Sequence, residues 1–330
     1  MLRILVTHSR RIYRRFATHT RFMRYLAHHP RMLPAALRLF TGTERYARKY
    51  FNKKNLVAGK PISVTLRVTN QCNLRCIQCG QWGLRGVYKD MPKEEVEREL
   101  KTEELIAFIK AVAWFRPYVS FFGGEPLLRD DIGRLIKYAD GRNLLTGLTT
   151  NGILLAKKAD ELVDSGLVFI KVSLDGPRDI NEQIRIGRNA YEQTYDGIKQ
   201  LIHIRNQRKS LTPIVQLCTT VTKENQHKIL DTAKIADALG VDIFAVLFGI
   251  FTTPQLIAAT NEIFKNEFDM ESRYWQGFML DRSGMDIAEI ERQVEVLKKS
   301  KQWHFRYRQY PAQTASFDIQ THYNKRLIIR

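Results

Sequence analysis

Three of the four cysteines fall within one short run, Cys72-Asn73-Leu74-Arg75-Cys76-Ile77-Gln78-Cys79, and thiolates this close in sequence can serve one metal centre. The Cys-x3-Cys-x2-Cys spacing supplies three ligands and no fourth. No His, Asp or Glu lies between Cys72 and Tyr88, and Cys218 is far off in the chain. A closed structural zinc site normally takes four protein ligands, whereas a [4Fe-4S] cluster held by three cysteines keeps one iron open to a ligand of another kind. Two plainer readings stay open at this point. One is a zinc knuckle completed by a distant residue; the other is a disulfide, for which three clustered cysteines and one remote one make a poor framework.

The cysteines follow a run that reads as a β-strand, and from Ile62 onward strands alternate with helices. The pattern predicts strands over 62–69, 118–122, 144–149, 167–174, 213–221 and 241–247. Helical segments over roughly 93–113, 131–140, 156–165, 189–209 and 225–239 separate them, as right-handed crossovers require. Six βα units predict an α/β fold, an incomplete (β/α)6 TIM-like barrel with its site at the strand ends.

Alternation within the strands gives each side chain a direction. Ile62, Val64, Leu66 and Val68 share one face and Ser63, Thr65, Arg67 and Thr69 the other. The fourth strand sets Val168, Ile170, Val172 and Leu174 against Phe169, Lys171, Ser173 and Asp175, and the fifth sets Val215, Leu217, Thr219 and Val221 against Gln216, Cys218 and Thr220. Parallel strands buried on both faces read as continuous apolar runs, so this alternation predicts a polar lumen. Arg67 and Lys171 then point inward, either toward a carboxylate or phosphate of a ligand or into salt bridges with Asp175 or Glu125.

Short motifs end successive strands: Phe121-Phe122-Gly123-Gly124-Glu125-Pro126, Thr149-Thr150-Asn151-Gly152 and Ser173-Leu174-Asp175-Gly176. Each alone reads equally as a turn or helix cap. Taken with Cys-Asn-Leu-x-Cys-x-x-Cys, their order over residues 62 to 250 resembles the radical S-adenosylmethionine (SAM) superfamily. The resemblance implies one [4Fe-4S] cluster on Cys72, Cys76 and Cys79, with SAM bound to the free iron. Reductive cleavage of SAM would then give a 5′-deoxyadenosyl radical that abstracts hydrogen from a substrate.

It further implies SAM contacts at Gly123, Gly124 and Glu125 for the amino group, at Thr150 and Asn151, at Ser173 for the ribose, at Asp175, and at Arg185 for the carboxylate. An electron donor such as flavodoxin or ferredoxin is implied as partner. The chain departs from the family pattern at Gln78, where an aromatic residue, expected near the adenine of SAM, is usual and Trp82 or Tyr88 could substitute, and at Ile186, where a small residue usually follows the arginine. Cys218, on the lumen face, is a candidate hydrogen-atom donor that quenches the product radical. Its plainer reading is a buried small hydrophobe.

At 330 residues and 44% hydrophobic, the chain can bury a large core. The formal charge of +19 is uneven: residues 1–60 carry 15 Lys or Arg against the single acid Glu44. This divides the chain into a basic helical extension over 1–60, the barrel over 61–250 and a C-terminal extension over 251–330. Ile12, Phe16, Met23 and Leu26 form an apolar stripe opposite Arg10, Arg14, Arg21 and Arg24. That helix could lie on the barrel, on an anionic membrane through residues 1–50, or on nucleic acid. Pro30 and Pro34 interrupt it, and a second helical stretch follows to about Asn52.

Few cysteines suggest a reducing compartment, no run approaches about 20 apolar residues, and the start is a poor signal peptide. The expected location is cytoplasmic, with peripheral contact on the inner membrane face. Beyond Phe251, helices over 254–267 and 286–300 precede a strand-like run from Trp303 to Tyr310. Relatives that modify peptides or lipids often continue into a cysteine-rich domain with auxiliary clusters; no cysteine follows Cys218 here. Either one cluster suffices or Arg330 is a truncated end. Against the enzyme reading stand a metal-binding module whose basic arm contacts nucleic acid, and a catalytically silent fragment.

Overall fold

A computed structural model describes residues 20–51, 59–249, 251–270, 274–278, 283–300 and 302–310. Its centre is one sheet of seven parallel strands in sequence order: β1 (Ser63–Thr69), β2 (Tyr118–Gly123), β3 (Thr146–Thr150), β4 (Phe169–Ser173), β5 (Ile214–Val221), β6 (Ile243–Phe248) and β7 (Arg306–Tyr310). Among the described residues no ladder joins β7 back to β1, so the barrel stays open. The six predicted strands are all present. The run from Trp303 supplies a seventh, paired in parallel with β6 from Arg306 opposite Ile243, so the sheet exceeds the six-strand expectation by one.

Helices cover the outer face. They are α3 (Lys93–Val96), α4 (Thr102–Val112), α5 (Ile132–Gly141), α6 (Leu155–Asp164), α7 (Arg178–Arg185), α8 (Ala190–Gln207), α9 (Ile229–Leu239), α10 (Pro254–Phe268) and α11 (Ile287–Lys299). The helix expected over 93–113 is split. Between its halves the Glu99 carboxylate accepts from Thr69 Oγ1 and from Asn70 N–H, both at 2.6 Å, and so caps the end of β1. Helix α7 has no counterpart in the periodicity because only Asn181 and Ile184 of it are buried.

Strand alternation behaves as predicted. In β4, Ile170 and Val172 are fully buried in the core with the helices, while Phe169, Lys171 and Ser173 are half-buried on the inner face. On β5 even the inner-face residues Gln216 and Cys218 are buried.

The starts of the strands are closed by two further helices, α1 over residues 20–28 and α2 (Leu33–Phe51). Phe22, Tyr25, Leu26, Met32, Ala35 and Ala36 pack against Leu145, Val168, Ile214 and Ile243, all at or just before strand starts. Arg21 adds an ion pair at 3.5 Å to Asp242, which also holds the buried Arg205 at 2.5 Å and the Val215 N–H at 2.8 Å. The helix predicted from Ile12 lies outside the described residues up to His19. Where it is described, its buried stripe is rotated from the expected one. Met23 is 59% exposed, because the larger rings of Phe22 and Tyr25 take the inward positions and Asp242 draws Arg21 inward. No helix among the described residues is long and apolar enough to cross a membrane.

Candidate active site

The three clustered cysteines come together just beyond β1. Cys76 is buried and Cys72 and Cys79 half-buried, in one small apolar group with Leu74, Ala190 and Ile153. Their loop is tied to α7 and its C-cap by Ile77 N–H to Ile184 O at 2.9 Å and Arg75 N–H to Ile186 O at 3.4 Å. Several donors face the sulfurs. Gln81 and Trp82 N–H groups lie 3.4 Å from Cys79 Sγ, Arg185 Nη1 lies 3.8 Å from Cys76 Sγ, and Asn151 Nδ2 lies 4.0 Å from Cys72 Sγ. Donors and cations of this kind favour thiolate.

Burial pushes the Cys72 thiol up to about 12 and raises Cys76 as well, against the lowering effect of Arg185. Metal ligation displaces such protons. Three thiols in an apolar surround, with no fourth protein ligand between Cys72 and Tyr88, suit a cluster that keeps one iron open better than a closed four-ligand zinc site.

The Gly-Gly-Glu segment after β2 closes on the chain's own backbone. A Cβ at Gly124 would run into Gln71 O, and one at Gly123 would stand 2.5 Å from Thr69 O. Here the glycines allow Gly124 N–H to reach Thr69 O and Glu125 N–H to reach Gln71 O, each at 2.8 Å. Glu125 is fully buried and accepts from Thr150 Oγ1 and Asn151 N–H at 2.7 Å and from Leu127 N–H at 3.0 Å. Burial pushes its carboxyl up, and these three hydrogen bonds pull it back. Asn151 also donates to Asn73 Oδ1 at 2.7 Å, which ties the end of β3 to the cysteine loop.

At the end of β4, Asp175 is fully buried. It accepts from Arg185 at 2.6 Å, from Gln78 Nε2 at 2.7 Å and from Thr220 N–H at 2.8 Å. Burial works against the Arg185 charge, but Asp175 and Cys76 outweigh it and push its pKa above the ordinary value. Ser173 faces Cys218 across the β4–β5 ladder, and Gln216 Nε2 donates to Cys218 Sγ at 3.1 Å. Burial raises that thiol to about 11.

The structure thus links Cys72, Cys76, Cys79, Glu125, Thr150, Asn151, Asp175 and Arg185 through direct contacts, with Ser173 and Cys218 alongside. Of the two inner-face cations, Lys171 acts by its charge on Cys218 at the edge of that network. Arg67 donates to the Tyr88 hydroxyl and lies 5.7 Å from its ring, and among the described residues the ion pair of Asp175 is with Arg185. Trp82 and Tyr88 are engaged with Asn70, through Trp82 Nε1 to its carbonyl at 2.7 Å and the Tyr88 hydroxyl to its side chain at 2.9 Å. Sequence reasoning missed the Gln78–Asp175 bond. Its only signal was Gln78 itself, a polar side chain where an aromatic one is usual.

A family model described as the radical SAM superfamily matches residues 66–236. The chain belongs to the radical SAM superfamily, whose members are enzymes that use a [4Fe-4S] cluster and SAM. It is 36% identical over 141 residues to Fe-coproporphyrin III synthase of Methanosarcina barkeri, covering 42% of this chain and 33% of that one. An AdoMet-dependent heme synthase of the same organism is 32% identical over 191 residues, 57% of this chain and 50% of its own. A GTP 3′,8-cyclase of Limosilactobacillus fermentum is 37% identical over 145 residues, 41% and 40% respectively. The chain spans about a third to a half of the length of these relatives. Streptococcus suis SuiB, in its crystal structure bound to S-adenosylmethionine, shares the fold with a TM-score of 0.59 at 15% identity, covering 85% of this chain and 57% of that one.

Proposed function

We propose that this chain holds one [4Fe-4S] cluster on Cys72, Cys76 and Cys79, binds SAM at the strand ends beside it, and reductively cleaves SAM to initiate a radical reaction on a small substrate. The observation that carries the reading is the direct bonding of the three-thiol pocket to the ends of β3 and β4, through Asn151, Gln78 and Arg185. When bound, the cluster supplies the electron that splits SAM and so generates the 5′-deoxyadenosyl radical. The chain's own contribution is placement and charge. Glu125 offers a carboxylate for an ammonium group, Arg185 a guanidinium for a carboxylate, and Leu74, Ala190 and Ile153 give the sulfurs an apolar surround. Reduction calls for a partner such as flavodoxin or ferredoxin.

The heme and Fe-coproporphyrin synthases among the relatives support a small anionic cofactor precursor as substrate, ahead of a peptide or lipid. Lys171, half-buried on the inner face of β4 and close enough to Cys218 for its charge to act on that thiol, supports the anionic part. Anaerobically reconstituted protein with dithionite and SAM tests the reading. We expect 5′-deoxyadenosine; its absence from protein with full iron content sinks the proposal.

The outer face of α1 and α2 supports peripheral contact with an anionic bilayer. Met23, Leu33, Leu37 and Phe40 are exposed there, as is Arg24. This face lies at the strand starts, opposite the cysteines, so a membrane contact there anchors the barrel rather than feeding its site. Flotation with anionic liposomes at low salt should recover the full chain and lose it on Leu37→Glu with Phe40→Glu. Equal recovery of both proteins would rule that contact out.

A further inference from the structure

The ladders of the sheet stack its inner-face residues into rows that run from strand to strand. A low row holds Ser120, Gly147, Phe169 and Ile214, over an aromatic floor. Phe169 lies 6.2 Å from the Tyr118 ring and 5.3 Å from that of Phe22 on α1, and a Cβ at Gly147 would run into the Tyr118 hydroxyl. The next row up carries Thr149, Lys171, Gln216, Ile243 and Arg306 in register. Above it, nearer the cysteines, Ser173, Cys218, Ala245 and Arg308 are in register.

Strand β7 therefore brings cations to the lumen. Its Tyr307 packs on the core with the helices and feels the charge of Glu295 on α11, so alternation turns Arg306 and Arg308 inward. Together with Arg67 and Lys171 they make four inner-face cations, and no inner-face position of the seven strands is Asp or Glu. Because helices cover the outer face, the exposure of Thr65 and the half-burial of Arg67, Phe122, Lys171, Arg306 and Arg308 open onto the lumen. Burial and the neighbouring Arg308 hold the Arg306 guanidinium below its ordinary value, against the pull of Tyr310. Two guanidiniums close enough to disfavour each other's charge are relieved by an anion. Lys171 and Arg306 stand three strand spacings apart, about 14 Å along the curved sheet. Gln216 of β5 and the apolar Ile243 of β6 lie between them.

We infer that the lumen holds its substrate by two anionic ends, one on Lys171 of β4 and the other on Arg306 and Arg308 of β7, with an apolar middle against Ile243 and Ala245 of β6. The substrate class is a dianion on an apolar frame, its acids carboxylate or phosphate. β7, which lies beyond the strands whose ends carry the SAM motifs, is then the strand that reads the substrate. The inference rests on the proposed radical SAM reading, which requires the substrate to sit inside the barrel beside SAM.

Calorimetric titration of the reconstituted protein with saturating SAM tests it. The probes are biphenyl-4,4′-dicarboxylate, the one-ended biphenyl-4-carboxylate and the neutral 4,4′-bis(hydroxymethyl)biphenyl. The diacid should bind about tenfold more tightly than the monoacid. Lys171→Gln, or Arg306→Gln with Arg308→Gln, should each lower the diacid to the monoacid's affinity while iron content and the diol's affinity stay as in the wild type. Arg306→Lys with Arg308→Lys, which keeps both charges, should retain most of the diacid's advantage. Equal affinity of diacid and monoacid for the wild type, or a diacid advantage that survives both Gln variants, overturns the inference. Assay of 5′-deoxyadenosine in the same wild-type samples keeps the two readings distinct. Its absence with the diacid preference intact sinks the radical SAM reading and upholds the lumen's ligand class; its presence without that preference does the reverse.

Discussion

Arg185 donates to Asp175 at 2.6 Å while its Nη1 lies 3.8 Å from the sulfur of Cys76. One guanidinium therefore bridges the end of β4 and the cysteine loop, with Asp175 fully buried behind it. Removing one member of a buried ion pair leaves the other charge uncompensated, at about 3–5 kcal/mol. A charge-assisted contact to a carboxylate is worth roughly 1.5–3 kcal/mol.

Arg185→Ala should thus do two separable things. It should lower stability in urea by about 3 kcal/mol and weaken SAM binding about tenfold or more. Adding Asp175→Asn should recover much of the stability and none of the SAM affinity, read by denaturation and by calorimetric titration. Unaltered SAM affinity in Arg185→Ala would leave Arg185 a purely structural bridge.

The turn after Glu125 carries a pH-dependent contact. Arg129 donates to Asp131 at 2.8 Å and also to Val68 O at 3.0 Å, and it holds the Asp131 carboxyl below the ordinary carboxylate range. A depressed folded-state pKa adds stability above the unfolded value of about 3.9 and loses it as pH falls through the lower folded value. Asp131→Asn should destabilise the protein by about 1 kcal/mol at pH 7, since the pair is partly exposed, and by progressively less as pH falls below the unfolded value and through the lower folded one. A constant difference across that range would contradict the assignment.

How far the sequence reached is visible at particular residues. Strand periodicity located β1 to β6, because side chains that alternate between a helix-packed face and a lumen leave a period of two. The cysteine spacing and the strand-end motifs located the residues that the structure links. Two things escaped. Helix α7 buries too little to show a period, yet it carries Arg185. The partnership of Gln78 with Asp175 joins residues 97 positions apart and leaves no local pattern. The basic N-terminus was legible as charge, but its anchoring depends on Asp242, which no local pattern marks as its partner.

That anchoring changes what truncation should do. Deleting residues 1–50 strips Phe22, Tyr25, Leu26 and Met32 from the strand starts and removes Arg21 from Asp242. Large buried side chains lost to solvent cost about 2–5 kcal/mol each, so this shorter chain should fail to fold cooperatively. A sharp thermal transition near that of the full chain would show the helices to be dispensable.

Cys218 lies on the lumen face beside Ser173 with a thiol that burial keeps protonated at neutral pH. A protonated thiol can donate a hydrogen atom. If it quenches the product radical, Cys218→Ala keeps SAM cleavage and substrate hydrogen abstraction but loses the product. If it only fills space, the variant loses on the order of 1 kcal/mol of stability and makes product normally.

The central claim is that Cys72, Cys76 and Cys79 together hold one four-iron cluster. Iron and sulfide analysis of anaerobically reconstituted wild type and of the Cys72→Ala, Cys76→Ala, Cys79→Ala triple variant tests it most directly. The account predicts about four iron and four sulfide per wild-type chain, neither in the triple variant, and no 5′-deoxyadenosine from any single variant. One zinc per chain, or iron retained in full by the triple variant, would contradict it.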